Sequence, residues 1–109
     1  MQKEKKMNKI LHLPLKKQWY NMIESGEKRE EYREIKPYWN KRLMGNTIGP
    51  LFSHRNGYET VNVNGYTHVC FHYGYTKRTM MFEIVDIIIG RGKTEWGAPE
   101  KDVYIIRFQ

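Results

Sequence analysis

Among its 109 residues the chain has a single cysteine, Cys70. No intramolecular disulfide can form, so the fold must hold by packing, and a reducing, cytoplasmic setting is expected. Long apolar runs are also missing. Lys3, Lys5 and Lys6 resemble the start of a signal peptide, but the apolar stretch after them, Ile10 to Leu15, is short and broken by His12 and Pro14. Nothing approaches the length of apolar helix that spans a bilayer, so no membrane partner is expected. Acidic side chains are outnumbered, 12 Asp and Glu against 19 Lys and Arg, for a net charge of +7. With 14% aromatics, that balance fits a partner with phosphates to attract and bases to stack, RNA or a nucleotide. The plainer alternative is a basic protein whose charge only aids solubility.

The length bounds the architecture to one domain with a modest core. Residues 1–8 read as a disordered, lysine-rich tail in which Met7 offers an alternative start, and 9–109 as the domain. Lys9 to Leu13 alternates like a strand, and Pro14 then suits a helix start. Leu15, Trp19, Met22 and Ile23 form one helical stripe that Gly26 terminates. This stripe is expected to pack on the run Thr79 to Ile89, which is apolar on both faces and reads as a central, doubly covered strand. Glu27 to Glu34 reads as a charged strand, and Pro37 to Gly45 as a short second helix. Asn46 to Asn56 is a loop containing His54. Asn64-Gly65 between alternating residues predicts a two-residue hairpin with both central residues at positive φ. Val103 to Phe108 is the last strand. Strands dominate and crossover helices are missing, which predicts a small barrel of mostly antiparallel strands with two flanking helices.

Two charged segments are candidates for chemistry. Lys28, Glu31 and Arg33 fall within six positions, Arg33 a forked donor, Lys28 a point charge or proton carrier and Glu31 a partner or base. Strand alternation would put Lys28 on the face opposite Glu31 and Arg33, so a shared cleft requires a bulge or a late strand start. The competing reading is a ladder of alternating charges, Glu27, Arg29, Glu31 and Arg33, on an exposed strand. Tyr73, Tyr75, Lys77 and Arg78 around Gly74 interleave rings and cations as base-stacking surfaces do, or else cap a wet turn. The segment Gly90 to Gly97 adds Arg91, Lys93 and Trp96 but matches no phosphate-loop fingerprint. No cofactor is implied. His68, Cys70 and His72 share a strand face, yet the outer two lie about 13 Å apart by strand rise, too far for one ion. His12 and His54 have no neighbours in sequence that suggest a ligand set, so no metal site is expected.

Taken in order, Gly26-x-Lys28-x-x-Glu31-x-Arg33, the segment Phe71-His72-Tyr73-Gly74-Tyr75, and Gly90-Arg91-Gly92 with Trp96-Gly97-Ala98-Pro99 resemble the ASCH domain, a branch of the PUA-like β-barrels. The resemblance spans about residues 9–108. It implies an α+β fold, a barrel of five to six strands with a cleft beside the first long helix, and binding of RNA or nucleotide-like ligands. Some small relatives hydrolyse acetylated cytidine with a Lys, a Thr and a Glu. Lys28 matches that lysine, Glu31 stands where the threonine would be, and no helix is expected between Ile89 and Val103 to supply the glutamate. The leading expectation is an RNA- or nucleotide-binding domain with Lys28, Glu31, Arg33, Tyr73 and Tyr75 in its cleft. The alternative is a small hydrolase of modified nucleosides or RNA, with Lys28 and Glu31 as its proton-handling pair.

Overall fold

Leu11, Leu13 and Leu15 are buried while His12 and Pro14 between them are exposed, the period of two that a strand with one wet face requires. In the computed structural model, which describes residues 7–50 and 61–109, this segment is β1 (Ile10–Leu15). It is followed by α1 (Lys17–Glu24), β2 (Glu30–Arg33), α2 (Pro37–Met44), β3 (His68–Tyr73), β4 (Thr79–Arg91) and β5 (Asp102–Phe108). A single 3₁₀ turn, Thr94–Trp96, lies between β4 and β5. Residues 1–6 and 51–60 fall outside this description, and with them most of the expected basic tail and His54.

The strands form one curled sheet in the order β1-β3-β4-β5-β2, a half-barrel with two helices. β1 and β3 run parallel; the other neighbours are antiparallel. β4 makes the curl. Its first half pairs with β3 and its second with β5, and a bulge between Ile84 and Asp86 bends it where the partner changes. The two sheet edges approach each other where Arg33 Nη2 on β2 stands 3.4 Å from the Pro14 carbonyl on β1.

The core has two parts. Leu11, Leu13, Val69, Phe71, Ile87, Tyr104 and Ile106 pack on the concave side with Tyr20, Ile23 and Leu43 from the helices. Ile88, Val103 and Ile105 point the other way and pack with Tyr32, Ala98 and Trp96. Tyr104 donates its hydroxyl to Asn40 Oδ1 at 2.6 Å, and burial pushes its pKa up to about 12, so it stays a neutral donor.

Several expectations are corrected. Pro14 belongs to β1, not to a helix start; an edge strand tolerates its missing N–H. β4 is central in the sheet, but only Ile87 and Ile88 are buried within it, and Met81 and Val85 are exposed. α1 buries Tyr20 and Ile23 and packs most closely on β3, not β4, with Trp19 only half-buried. The Tyr20 ring meets Tyr73 edge-on at 5.0 Å, a contact that turns the helix away from the predicted stripe.

Asn64-Gly65 is not a hairpin tip. Gly65 has φ +73°, but no non-glycine residue among those described has positive φ, and 61–67 carries no strand. Asn64 instead closes the C-terminus of α2, donating from Nδ2 to the Arg42 carbonyl at 2.6 Å while its backbone N–H bonds to Leu43. Carbonyls left over at a helix end won against a local turn preference. Asn64→Ala should therefore cost about 1 kcal/mol in urea denaturation. Asn64→Gly separates the two readings, because a hairpin tip accepts glycine at that position and a cap does not. Unchanged stability of Asn64→Gly would restore the hairpin.

Candidate functional site

Gly26, at φ +86°, turns the chain out of α1, and β2 starts only at Glu30. Lys28 thus stands before the strand, held by its N–H on the Met22 carbonyl at 3.0 Å, and escapes strand alternation. Its side chain turns to the same side as Glu31. Lys28 Nζ lies 2.9 Å from Glu31 Oε2 and 2.5 Å from the Trp96 carbonyl oxygen. It also sits 4.8 and 4.9 Å from the ring centres of Trp19 and Tyr32. Lys28 is 1% exposed and Glu31 5%. The ammonium is caged rather than offered to solvent.

Arg33 completes the row. Its Nη1 donates to Glu31 Oε1 at 2.9 Å and to the Tyr32 carbonyl at 2.6 Å, and its guanidinium lies over Trp39 at 5.3 Å. Glu31 is therefore shared between two cations. Its Oε2 faces the Lys28 ammonium at 2.9 Å and its Oε1 faces Arg33, so each carboxylate oxygen has one cation. Burial lowers the pKa of Lys28, and the charge and hydrogen bond of Glu31 oppose that shift. Burial raises that of Tyr32 far above the usual range. The Tyr32 hydroxyl donates to Glu30 at 2.8 Å and accepts from the Lys93 N–H at 3.0 Å, tying β2 to the glycine-rich segment.

Above this row opens a cleft of about 450 Å³ lined by Trp19, Glu31, Arg33, Lys36, Trp39 and Trp96, among others. All three tryptophans of the chain line it, and each is half-buried. The glycines serve that packing. A Cβ at Gly97, itself at φ +96°, would stand 2.8 Å from the Trp19 ring, and one at Gly92 would collide with Tyr32 and Ala98. Neither is needed to bring backbone to a phosphate.

The remaining sequence candidates are scattered. Tyr73, Tyr75, Lys77 and Arg78 surround the β3–β4 turn and line no part of this cleft. Arg78 packs over Tyr20 and Tyr73 and reaches both oxygens of Glu24 at 2.8 Å. Tyr75 is 99% exposed and borders a separate hollow with Lys16 and Lys17. Arg91 faces Asp102 at 3.5 Å on the surface. Lys93 is nearer, its ammonium 4.1 Å from the Trp96 ring centre. The 3₁₀ turn also supplies a helical residue, Glu95, where none was expected, but Glu95 is exposed and outside the cleft lining.

Sequence reasoning missed Trp19, Lys36 and Trp39 as cleft residues. The signal was a helical tryptophan on each side of the charged motif, which a core stripe explained equally well. It also left His12 without company. The parallel register sets His12 beside Cys70 and brings its Nδ1 to 3.0 Å from His72 Nε2, while His68 turns to Thr67.

No family model matches the chain, and no curated protein or solved structure matches it either.

Lys28→Ala should lower stability by about 3–5 kcal/mol, because it strands Glu31 in a buried place with half its compensation gone. A loss below about 1 kcal/mol in urea denaturation would show that the amine is not caged. The pH dependence carries a sign as well. With the folded value below the ordinary 10.5, the unfolded chain holds the extra proton between the two values. The stability of the natural chain relative to Lys28→Met should then rise with pH across that interval, and a fall would contradict the lowered pKa.

Proposed function

We propose that this protein is an ASCH-type, PUA-like domain that binds single-stranded RNA or a nucleotide in the tryptophan-lined cleft. The observation that carries the reading is the meeting of Trp19, Trp39 and Trp96 with Arg33 and Glu31 around one space of about 450 Å³. Indole faces stack any base, worth about 1–3 kcal/mol each. Arg33 and Lys36 in the lining, with Lys93 against the Trp96 ring, supply charge for phosphates, and the net +7 favours approach of a polyanion. Lys28 has a supporting part: it neutralises Glu31 from beneath and so leaves Arg33 able to turn to a ligand.

The second reading, hydrolysis of acetylcytidine-like nucleosides or of RNA, draws on the lowered pKa of Lys28 beside Glu31. Binding is favoured over it because Lys28 is 1% exposed and absent from the cleft lining.

Tryptophan fluorescence tests the binding reading directly, since every reporter lines the cleft. Titration with single-stranded oligonucleotides and mononucleotides should quench emission, with an affinity that falls steeply with salt. Arg33→Ala should weaken binding roughly tenfold and lower the salt slope by about one, and Trp39→Ala should weaken it by about 1–3 kcal/mol. Affinity indifferent to both substitutions would remove the cleft from the reading. Deacetylated product from acetylated cytidine in the same samples would establish the hydrolase instead.

A further inference from the structure

On the convex side of β1 and β3, away from the cleft lining, three metal-binding side chains meet. Leu11 and Leu13 of β1, with Val69 and Phe71 of β3, point into the core, so the residues between them point outward. In the parallel register His12 pairs with Cys70 and Pro14 with His72, which sets both imidazoles and the thiol on one patch. Their ligand atoms all lie within 4.8 Å of one another, the only such group of three among the described residues. The two imidazole nitrogens face each other at 3.0 Å, and Cys70 is buried at 5% exposure.

We propose that His12, Cys70 and His72 bind one thiophilic d¹⁰ metal ion, Zn²⁺ or Cu⁺. Tetrahedral bonds of about 2.0–2.1 Å to nitrogen and about 2.3 Å to sulfur place ligand atoms about 3.3–3.6 Å apart. The cluster is within reach of that spacing by small side-chain rotations. Two imidazoles and a thiolate with no carboxylate suit zinc or copper and not calcium or magnesium. The backbone positions are fixed by sheet register, so little ordering remains to oppose binding. On binding, the thiol loses its proton to solvent. The proton between the two rings moves, through solvent, to the outward nitrogen of its own ring, so that both inner lone pairs face the ion.

Three protein ligands leave a fourth position open. Met81 is the cross-strand partner of Cys70 and half-exposed on the same face, so its thioether can fill that position for Cu⁺. Zinc would take a water there. This site is independent of the nucleotide-binding reading.

The test uses the full, untagged, reduced chain. Co²⁺, as a probe for Zn²⁺, should bind at one equivalent with thiolate-to-metal absorption in the near ultraviolet and the visible bands of a tetrahedral site. Cu⁺ affinity is read by competition with a chromogenic chelator. Cys70→Ser should abolish the thiolate band. Because Cys70 is buried, His12→Gln on the exposed face is the second variant, and it should weaken binding by at least roughly 10–100-fold while circular dichroism stays unchanged. Met81→Leu should lower affinity for Cu⁺ and leave that for Zn²⁺ unaltered, which tells the two ions apart. Absence of a thiolate band at one equivalent, with no Cu⁺ retained against the chelator, would overturn the site. So would affinity for both ions unchanged in His12→Gln.

Discussion

Everything around the cleft is arranged about one buried charge pair, Lys28 with Glu31. Taking either ion out of water costs several kcal/mol, and a single contact does not recover that. Here the ammonium also has the Trp96 carbonyl and two aromatic faces, and the carboxylate has Arg33. Each added partner fixes a different segment. The carbonyl comes from the 3₁₀ turn, the rings from α1 and β2, and Arg33 from the far end of β2. The pair can be buried only if all of these segments are in place. That requirement explains why the glycine-rich segment has no room for a Cβ at Gly92 or Gly97: it must close down on Tyr32 and Trp19 to cover the lysine.

Curvature of the sheet does the rest of the positioning. Because β4 changes partner at its bulge, β1 and β2 end up as opposite edges of a sheet that nearly meets itself, and Arg33 spans the gap to Pro14. The same topology gives β1 two faces with different uses. Its leucines complete the concave core, while His12 between them is presented outward beside β3. A β1 paired antiparallel in a meander would not have brought His12 level with Cys70. The parallel pairing depends on the long excursion through α1, β2 and α2 between the two strands.

Signals that depend on local chemistry were legible in the sequence. Pro37 and Gly45 bound α2, Gly26 ends α1, and the alternation of Tyr104, Ile106 and Phe108 gives the concave face of β5. The late start of β2 was one of two ways, with a bulge, for Lys28 and Glu31 to meet, and it is the one the chain adopts. Long-range competition was not legible. Asn64-Gly65 reads as a hairpin until α2 needs its last carbonyls covered. Thr79 to Val85 reads as doubly buried until the bulge leaves one face bare. Trp19 counts as core on a helical wheel, yet its ring rests on Gly97, and no periodicity reports a glycine seventy-eight residues away. The burial of Lys28 was hidden for a similar reason. Its cage is completed by the Trp96 carbonyl, sixty-eight residues away, and a charged residue in a charged motif reads as exposed.

Both helices that carry cleft walls have eight residues, and neither has a side-chain N-cap or an acidic first turn. Helices that short are marginal by themselves, so their positions are set by what they pack against. Trp39 is held between Arg33 and Arg42, and Trp19 between the Lys28 ammonium and the Gly97 backbone. The walls are therefore fixed through the charged row of β2 more than through their own helices. A change that disturbs Glu31 must loosen Lys28 and Arg33 together, and through them both tryptophans. Cleft shape and charge are one variable in this fold, because the same carboxylate sets the orientation of the cations and the spacing of the rings they touch.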